Sequence, residues 1–151
     1  MNKINISFAN ANDINSIVSL NKDFVKENCC NGIVEDNAEY LKTKNIAVAK
    51  NGKEVVGYCY GEFEIKNRDT SMFKKGQKSF YIEELYVRKG FRNKNIGKML
   101  YDFIENYAKQ NGCNIIETTA VSKNYKALLK FYIEKSDMCF WSASLVKQLN
   151  K

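Results

Sequence analysis

Two adjacent glutamates, Glu83 and Glu84, stand inside the run Phe80-Tyr-Ile-Glu-Glu-Leu-Tyr-Val87, and soon after it the chain turns basic as Arg92-Asn-Lys-Asn-Ile-Gly-Lys98. A carboxylate fixed on a strand is a candidate proton acceptor. A basic segment at the start of a helix offers free backbone N–H groups beside positive side chains, and that combination binds anions, typically a phosphate. Neighbouring strand residues face opposite sides, so only one of the two glutamates is expected to point into any single site. Histidine is absent. Ser–His and Cys–His nucleophilic chemistry and histidine metal centres are thereby excluded, and no metal is expected.

The elements that must position these groups follow from periodicity. Phe80 to Val87 is aromatic and branched, with no turn signal until Lys89-Gly90. From Ile96 the apolar residues fall at Met99, Leu100, Phe103, Ile104, Tyr107 and Ala108, the stripe of an amphipathic helix, which closes at Asn111-Gly112. Upstream, Ile4 to Phe8 reads as a strand, and Asn12-Asp13 caps a helix carrying Ile14, Ile17, Val18, Phe24 and Val25. A break at Asn28 to Gly32 precedes a short helix over about Glu35 to Lys42. Strands at Ile46–Ala49 and Val55–Ile65 flank Asn51-Gly52, a hairpin signal. After a polar connector from Lys66 to Lys78 and the central strand and helix, a strand is expected over Asn114–Val121, a helix over Asn124–Lys135 and a last strand over Cys139–Lys147. The order β-α-α-β-β-β-α-β-α-β argues a mixed sheet with helices on both faces. With 151 residues and no linker or repeat, a single domain over 1–151 is expected.

Arg92-Asn93-Lys94-Asn95-Ile96-Gly97, directly after Leu85-Tyr86-Val87, resembles the acetyl-CoA signature of the GCN5-related N-acetyltransferases (GNAT). Asn95 stands where the first glycine is usual; among non-glycine residues asparagine best tolerates a left-handed backbone. The resemblance covers essentially the whole chain. It implies a central mixed, mostly antiparallel sheet of about six to seven strands, whose central strands splay to admit the pantetheine arm of acetyl-CoA. Acetyl would pass directly to a primary amine in a ternary complex. It further implies that Arg92, Asn93, Lys94, Asn95, Ile96, Gly97 and Lys98 hold the pyrophosphate, mainly through backbone N–H groups, with Arg92 adding a charged fork and Lys98 a point charge. Main-chain N–H groups near Leu85, Tyr86 and Val87 would polarise the thioester carbonyl.

The glutamate pair is similar to that of the polyamine-type branch, which implies Glu83 as base and Glu84 beside the substrate. Asn124-Tyr-Lys-Ala127-Leu-Leu-Lys-Phe131-Tyr132 resembles the family's Asn-x-x-Ala…Phe-Tyr pattern with one residue inserted. That implies Tyr132, with Tyr125 as the alternative, as acid for the leaving thiolate, and Asn124 as a contact of the pantetheine or the helix start.

Composition limits the partners. Net charge is +7, yet the lysines and arginines are scattered and form no basic helix, so nucleic acid is not an expected partner. No apolar run approaches a membrane span, and the opening Met1-Asn-Lys-Ile-Asn-Ile-Ser does not resemble a signal peptide. Five cysteines without Cys-x-x-Cys spacing favour reduced thiols and a cytoplasmic location. The expected acceptor is a small-molecule primary amine such as a polyamine or amino sugar, and Glu35, Asp36, Glu39, Glu62, Glu64, Glu83 and Glu84 are the acids available to line a cation pocket. A protein N-terminus or lysine is an alternative acceptor, and a non-catalytic acyl-CoA-binding module an alternative function. Dimers are frequent in the resembled family, so a homodimer is a further expectation.

Overall fold

The structure, a computed structural model, describes residues 3–147 and 149. β1 (Ile4–Phe8) pairs with β2 (Asn45–Asn51), which turns through Gly52, at φ 65°, into β3 (Glu54–Ile65). The Asn-Gly signal therefore makes the tight hairpin its backbone freedom allows. β4 (Lys78–Val87) adds antiparallel to β3, and β5 (Ile115–Thr118) adds parallel to β4, giving the order β1-β2-β3-β4-β5. Among the described residues the sheet is mixed and mostly antiparallel with five strands, fewer than the six to seven expected, because no strand forms after β5.

Helices cover both faces. On one, α1 (Ile14–Lys26) and α2 (Ala38–Lys42) bury Ile17, Leu20 and Leu41 against Ile46, Val48, Tyr58, Tyr60 and Tyr86. On the other, α3 (Ile96–Gln110) buries Ile96, Leu100, Tyr101, Ile104 and Ala108 against Ala47, Val56, Cys59, Phe80 and Ile82. α2 starts later than its sequence suggests because Asn37 caps it, its side chain accepting from Tyr40 N at 2.8 Å. α3 ends where Gly112 takes φ 78° and Cys113 N–H reaches back to Ala108 O at 3.0 Å. α4 (Tyr125–Leu129) runs on into a π-helical turn over Lys130–Lys135. A π turn holds one residue more than an α turn, and this one includes Phe131 and Tyr132.

A last strand is expected over Cys139–Lys147, but no strand forms there. Apolar and aromatic composition supplies side chains to bury and no backbone partner. β5 is only four residues long, and Trp141 instead packs its ring against Phe73, centroids 4.9 Å apart.

One irregularity shapes the middle of the sheet. Tyr60 pairs with Glu84 and Gly61 with Ile82, so Glu83 is an extra residue in β4, a β-bulge. Gly61 permits it: a Cβ there would lie 2.0 Å from Tyr81 O. Only glycine allows two backbones so close.

Candidate active site

The bulge changes where the glutamates point. Phe80, Ile82, Leu85 and Val87 belong to the α3-side core, whereas Tyr86 packs on the α1 side. Glu84 joins Tyr86 on the α1 side, accepting from Tyr58 OH and from Asn21 Nδ2 at 3.0 Å. Glu83 points the same way, toward α2 and the residues after it: Tyr40 OH donates to it, and Lys44 Nζ lies 2.6 Å from its Oε1. Strict alternation would have separated the pair; the inserted residue puts both on one face.

Their surroundings differ sharply. Lys44 bridges Glu83 and Glu62, 3.0 Å from the latter, and its Nζ lies 4.5 Å from the Tyr40 ring centroid. Burial opposes the charge on Lys44, but its hydrogen bonds to Glu83 and Glu62 outweigh that and hold the ammonium above the ordinary lysine range. Glu84 has neutral partners. Asn21, buried in mid-α1, reaches Glu84 and Asp36 with the same Nδ2 while its Oδ1 accepts from Asp36 N at 2.8 Å. Tyr60 donates to Asp36 and its ring stacks on Tyr58, centroids 5.9 Å apart. Burial raises the Glu84 carboxyl above the usual range, against the lowering effect of its Tyr58 and Asn21 hydrogen bonds. Burial and the Glu84 charge likewise push the Tyr58 and Tyr60 phenols up.

Beside this face the sheet opens. The β4–β5 pairing stops at Ile82 and Thr118, where Thr118 Oγ1 donates to Ile82 O at 2.9 Å. Further along β4, Arg88 N–H bonds Val56 O on β3, so alternation directs the N–H groups of Leu85 and Val87 to the side that β5 has left. Two loops approach each other after the strands part: Asn31 N–H reaches Val121 O and Lys123 N–H reaches Cys29 O, each at 2.9 Å. Tyr132, buried in the α3-side core against Tyr101 and Phe131, has its phenol raised by burial while a hydrogen bond with Thr118 works against that rise. Its hydroxyl thus belongs to the point where β5 leaves β4. Tyr125 is exposed, and Asn124 caps α4, accepting from Ala127 N at 3.4 Å.

The basic turn has the backbone its sequence implied. Asn93 and Asn95 take φ 61° and 63°, and Asn95 begins α3 from the left-handed region without a side-chain cap bond. The first helical bond runs from Met99 N to Asn95 O, so the N–H groups of Ile96, Gly97 and Lys98 precede any helical acceptor. A Cβ on Gly97 would fill the space between the helix start and Leu85, 3.6 Å away, and Phe131, 3.7 Å away. Open strand edge and free helix start fit an extended ligand ending in phosphate.

The side chains of the turn are arranged differently from the expectation. One terminal nitrogen of Arg92, Nη2, donates to both Glu27 oxygens at 2.8 Å, its Nε donates to Val87 O at 2.7 Å, and its Cζ lies 5.3 Å from the Tyr86 ring centroid. Tyr86 OH also donates to Glu27 at 2.7 Å. Arg92 therefore staples the end of α1 to the end of β4. Lys98 pairs with Asp102, and Lys94 Nζ donates to Gly90 O at 3.1 Å.

Sequence reasoning passed over Asn21, Tyr40, Lys44, Tyr58, Tyr60 and Glu27. Asn21 carried a signal: it is a polar residue within the apolar stripe that includes Ile17 and Phe24. Tyr58 and Tyr60, two apart on one strand, share a face by pleat alone. Lys44 carried none. One cavity of about 360 Å³ is lined by residues including Phe8, Asn10, Ile14, Leu41, Lys44 and Tyr107 and by none of Glu83, Glu84, Tyr132 or the basic turn.

The model of the acetyltransferase (GNAT) family matches residues 14–137. The chain belongs to that family and is an N-acetyltransferase of it. Among solved structures it is similar to a transcriptional regulator from Bacillus halodurans C-125 at 21% identity, covering 97% of this chain and 100% of that one, TM-score 0.73. The glucosamine-6-phosphate N-acetyltransferase of Arabidopsis thaliana shares 16% identity over 98% of this chain and 99% of that one, TM-score 0.70. An aminoglycoside acetyltransferase from an uncultured soil metagenomic sample, in complex with sisomicin, shares 16% over 97% of each chain, TM-score 0.71. These likenesses show the fold. No curated protein matches the chain. The family generally uses acetyl-CoA as co-substrate. Among the described residues, no helix is long and apolar enough to cross a membrane.

Proposed function

We propose that this acetyltransferase transfers acetyl directly to a primary amine of a small cationic molecule, of the amino-sugar or polyamine class, with Glu84 rather than Glu83 as proton acceptor. Acetyl-CoA supplies the activated thioester. The Ile96–Lys98 N–H groups and the left-handed turn at Asn93 and Asn95 are suited to its diphosphate, and the outward N–H groups of Leu85 and Val87 to its extended arm and carbonyl oxygen.

Glu84 takes the acceptor's proton. A primary ammonium has a pKa of about 10.4 and must lose a proton to react, and a carboxylate whose pKa burial raises accepts that proton more readily than an ordinary one. Tyr58 and Asn21 orient that carboxylate, and Asp36 adds negative charge that draws a cation. Glu83 is already satisfied by Lys44 and Tyr40. Tyr132, its phenol kept protonated by burial at the mouth of the strand gap, donates to the departing sulfur. Likeness to a glucosamine-6-phosphate N-acetyltransferase and to an aminoglycoside acetyltransferase in complex with sisomicin favours a small acceptor.

The observation that carries this reading is the Glu83 bulge, which turns the acidic pair to one face where β5 departs from β4. The experiment is thiol release from acetyl-CoA with a panel of monoamines, diamines and amino sugars. Turnover lost in Glu84→Gln with cofactor affinity retained supports the reading. Tight acetyl-CoA binding with no turnover of any amine overturns it.

A further inference from the structure

Of the acids that the sequence nominates for a cation pocket, most are answered by a lysine of the chain itself. Glu39 pairs with Lys42, Glu64 with Lys66, and Glu62 and Glu83 share Lys44. Asp36 and Glu84, linked through Asn21, have no lysine or arginine partner among the described residues. Lys66 also lies between two carboxylates, Glu64 and Glu117, beside the Phe73 ring. Lys44 is set apart by its partner: its side chain, 6% exposed, holds Glu83, the neighbour of Glu84, together with Glu62, with the Tyr40 ring on a further side. Two carboxylates and an aromatic face are how a protein holds a substrate's alkylammonium. The chain has filled that seat with its own side chain.

We infer that Lys44 is a specificity-determining residue: by occupying the Glu62–Glu83 seat it leaves only the Glu84–Asp36 pair for an acceptor, and so selects amines with one ammonium at this face over diamines. The inference rests on the acetyl-transfer reading for its consequence in turnover and narrows the acceptor class given there. Lysine 44 arrives from the segment after α2, and Glu83 is bulged toward it, so the seat and its occupant are built by different parts of the fold. An acceptor bearing a second ammonium would have to displace a tethered ion held by two short contacts. With the charge removed and the aliphatic stem kept, the same seat becomes a second ammonium subsite.

The test compares wild type, Lys44→Met and Lys44→Arg, using α,ω-diamines of three to six carbons and the matching monoamines as probes. Calorimetric binding to the protein and kcat/KM with acetyl-CoA are both measured. Wild type and Lys44→Arg should bind each diamine no more than about twofold tighter than its monoamine. Lys44→Met should shift the diamine-to-monoamine ratio by roughly fivefold to tenfold toward the diamine at the best-fitting length, the size of one partly exposed ion pair. The inference is overturned if a folded Lys44→Met shows an unchanged binding ratio, or if wild type already favours a diamine to that extent. Absence of turnover with every amine would sink the acetyl-transfer reading alone, since the binding ratio still decides the role of Lys44.

Discussion

Glu83 and Glu84 are consecutive, chemically identical and turned to one face, yet their environments set them apart. Glu83 lies against a lysine ammonium and a tyrosine hydroxyl, so its negative charge is answered inside the chain. Glu84 lies among an amide, two phenols and a second carboxylate, so its charge is hydrogen-bonded but not neutralised. The raised carboxyl pKa goes with the second environment. Two carboxylates with one sequence signature thereby acquire separate environments, set by what packs over them rather than by residue type.

The largest effect that would break this contrast is in turnover. Glu84→Gln should lower kcat by roughly 10²- to 10⁴-fold, the range for a lost general base, while Glu83→Gln lowers it by less than about tenfold. Steady-state kinetics with a reactive amine from the panel decide it, and equal losses would remove the distinction. Next, Gly61→Ala should destabilise the protein by about 2–4 kcal/mol, because the new methyl meets the Tyr81 carbonyl and the bulge must move. Urea unfolding measures this, and a near-neutral result would mean that the bulge does not depend on the close approach.

The pH dependence sharpens the same point. A carboxyl raised in the folded state binds protons more readily folded than unfolded. Glu84 therefore costs nothing below the ordinary glutamate value of 4.5, and stability declines as pH rises from there through its folded pKa. Thermal unfolding from pH 4 to 8 should show that decline in wild type and a flatter profile in Glu84→Gln. The smallest effect lies at the other end of the site. Asn95→Val, forcing a branched residue to φ 63°, should cost about 1–2 kcal/mol and weaken acetyl-CoA binding, whereas Asn95→Gly should leave stability within a few tenths.

The turn at Arg92–Lys98 and the helix after it were legible because their determinants are local. A strand's composition, a run of asparagine and glycine, and a helical stripe fix the backbone within a short stretch of chain. The Asn51-Gly52 hairpin was legible for the same reason. The last strand was misread because apolar and aromatic composition says nothing of whether a neighbouring backbone is present to pair. Arg92 was misread in part: its place in the turn was evident, but Glu27, which claims its Nη2, lies 65 residues away.

By itself, then, the sequence determined the order of elements through α4, the left-handed turn at Asn93 and Asn95 and the acidic pair ahead of it, since each depends on torsional preference and periodicity over a few residues. The tertiary structure alone decided that Glu83 and Glu84 share a face, that Lys44 occupies one carboxylate seat and that Asn21, Tyr58 and Tyr60 surround the other. Those outcomes turn on one inserted residue opposite Gly61 and on side chains brought from distant segments, and electrostatic environment is a property of what is near in space.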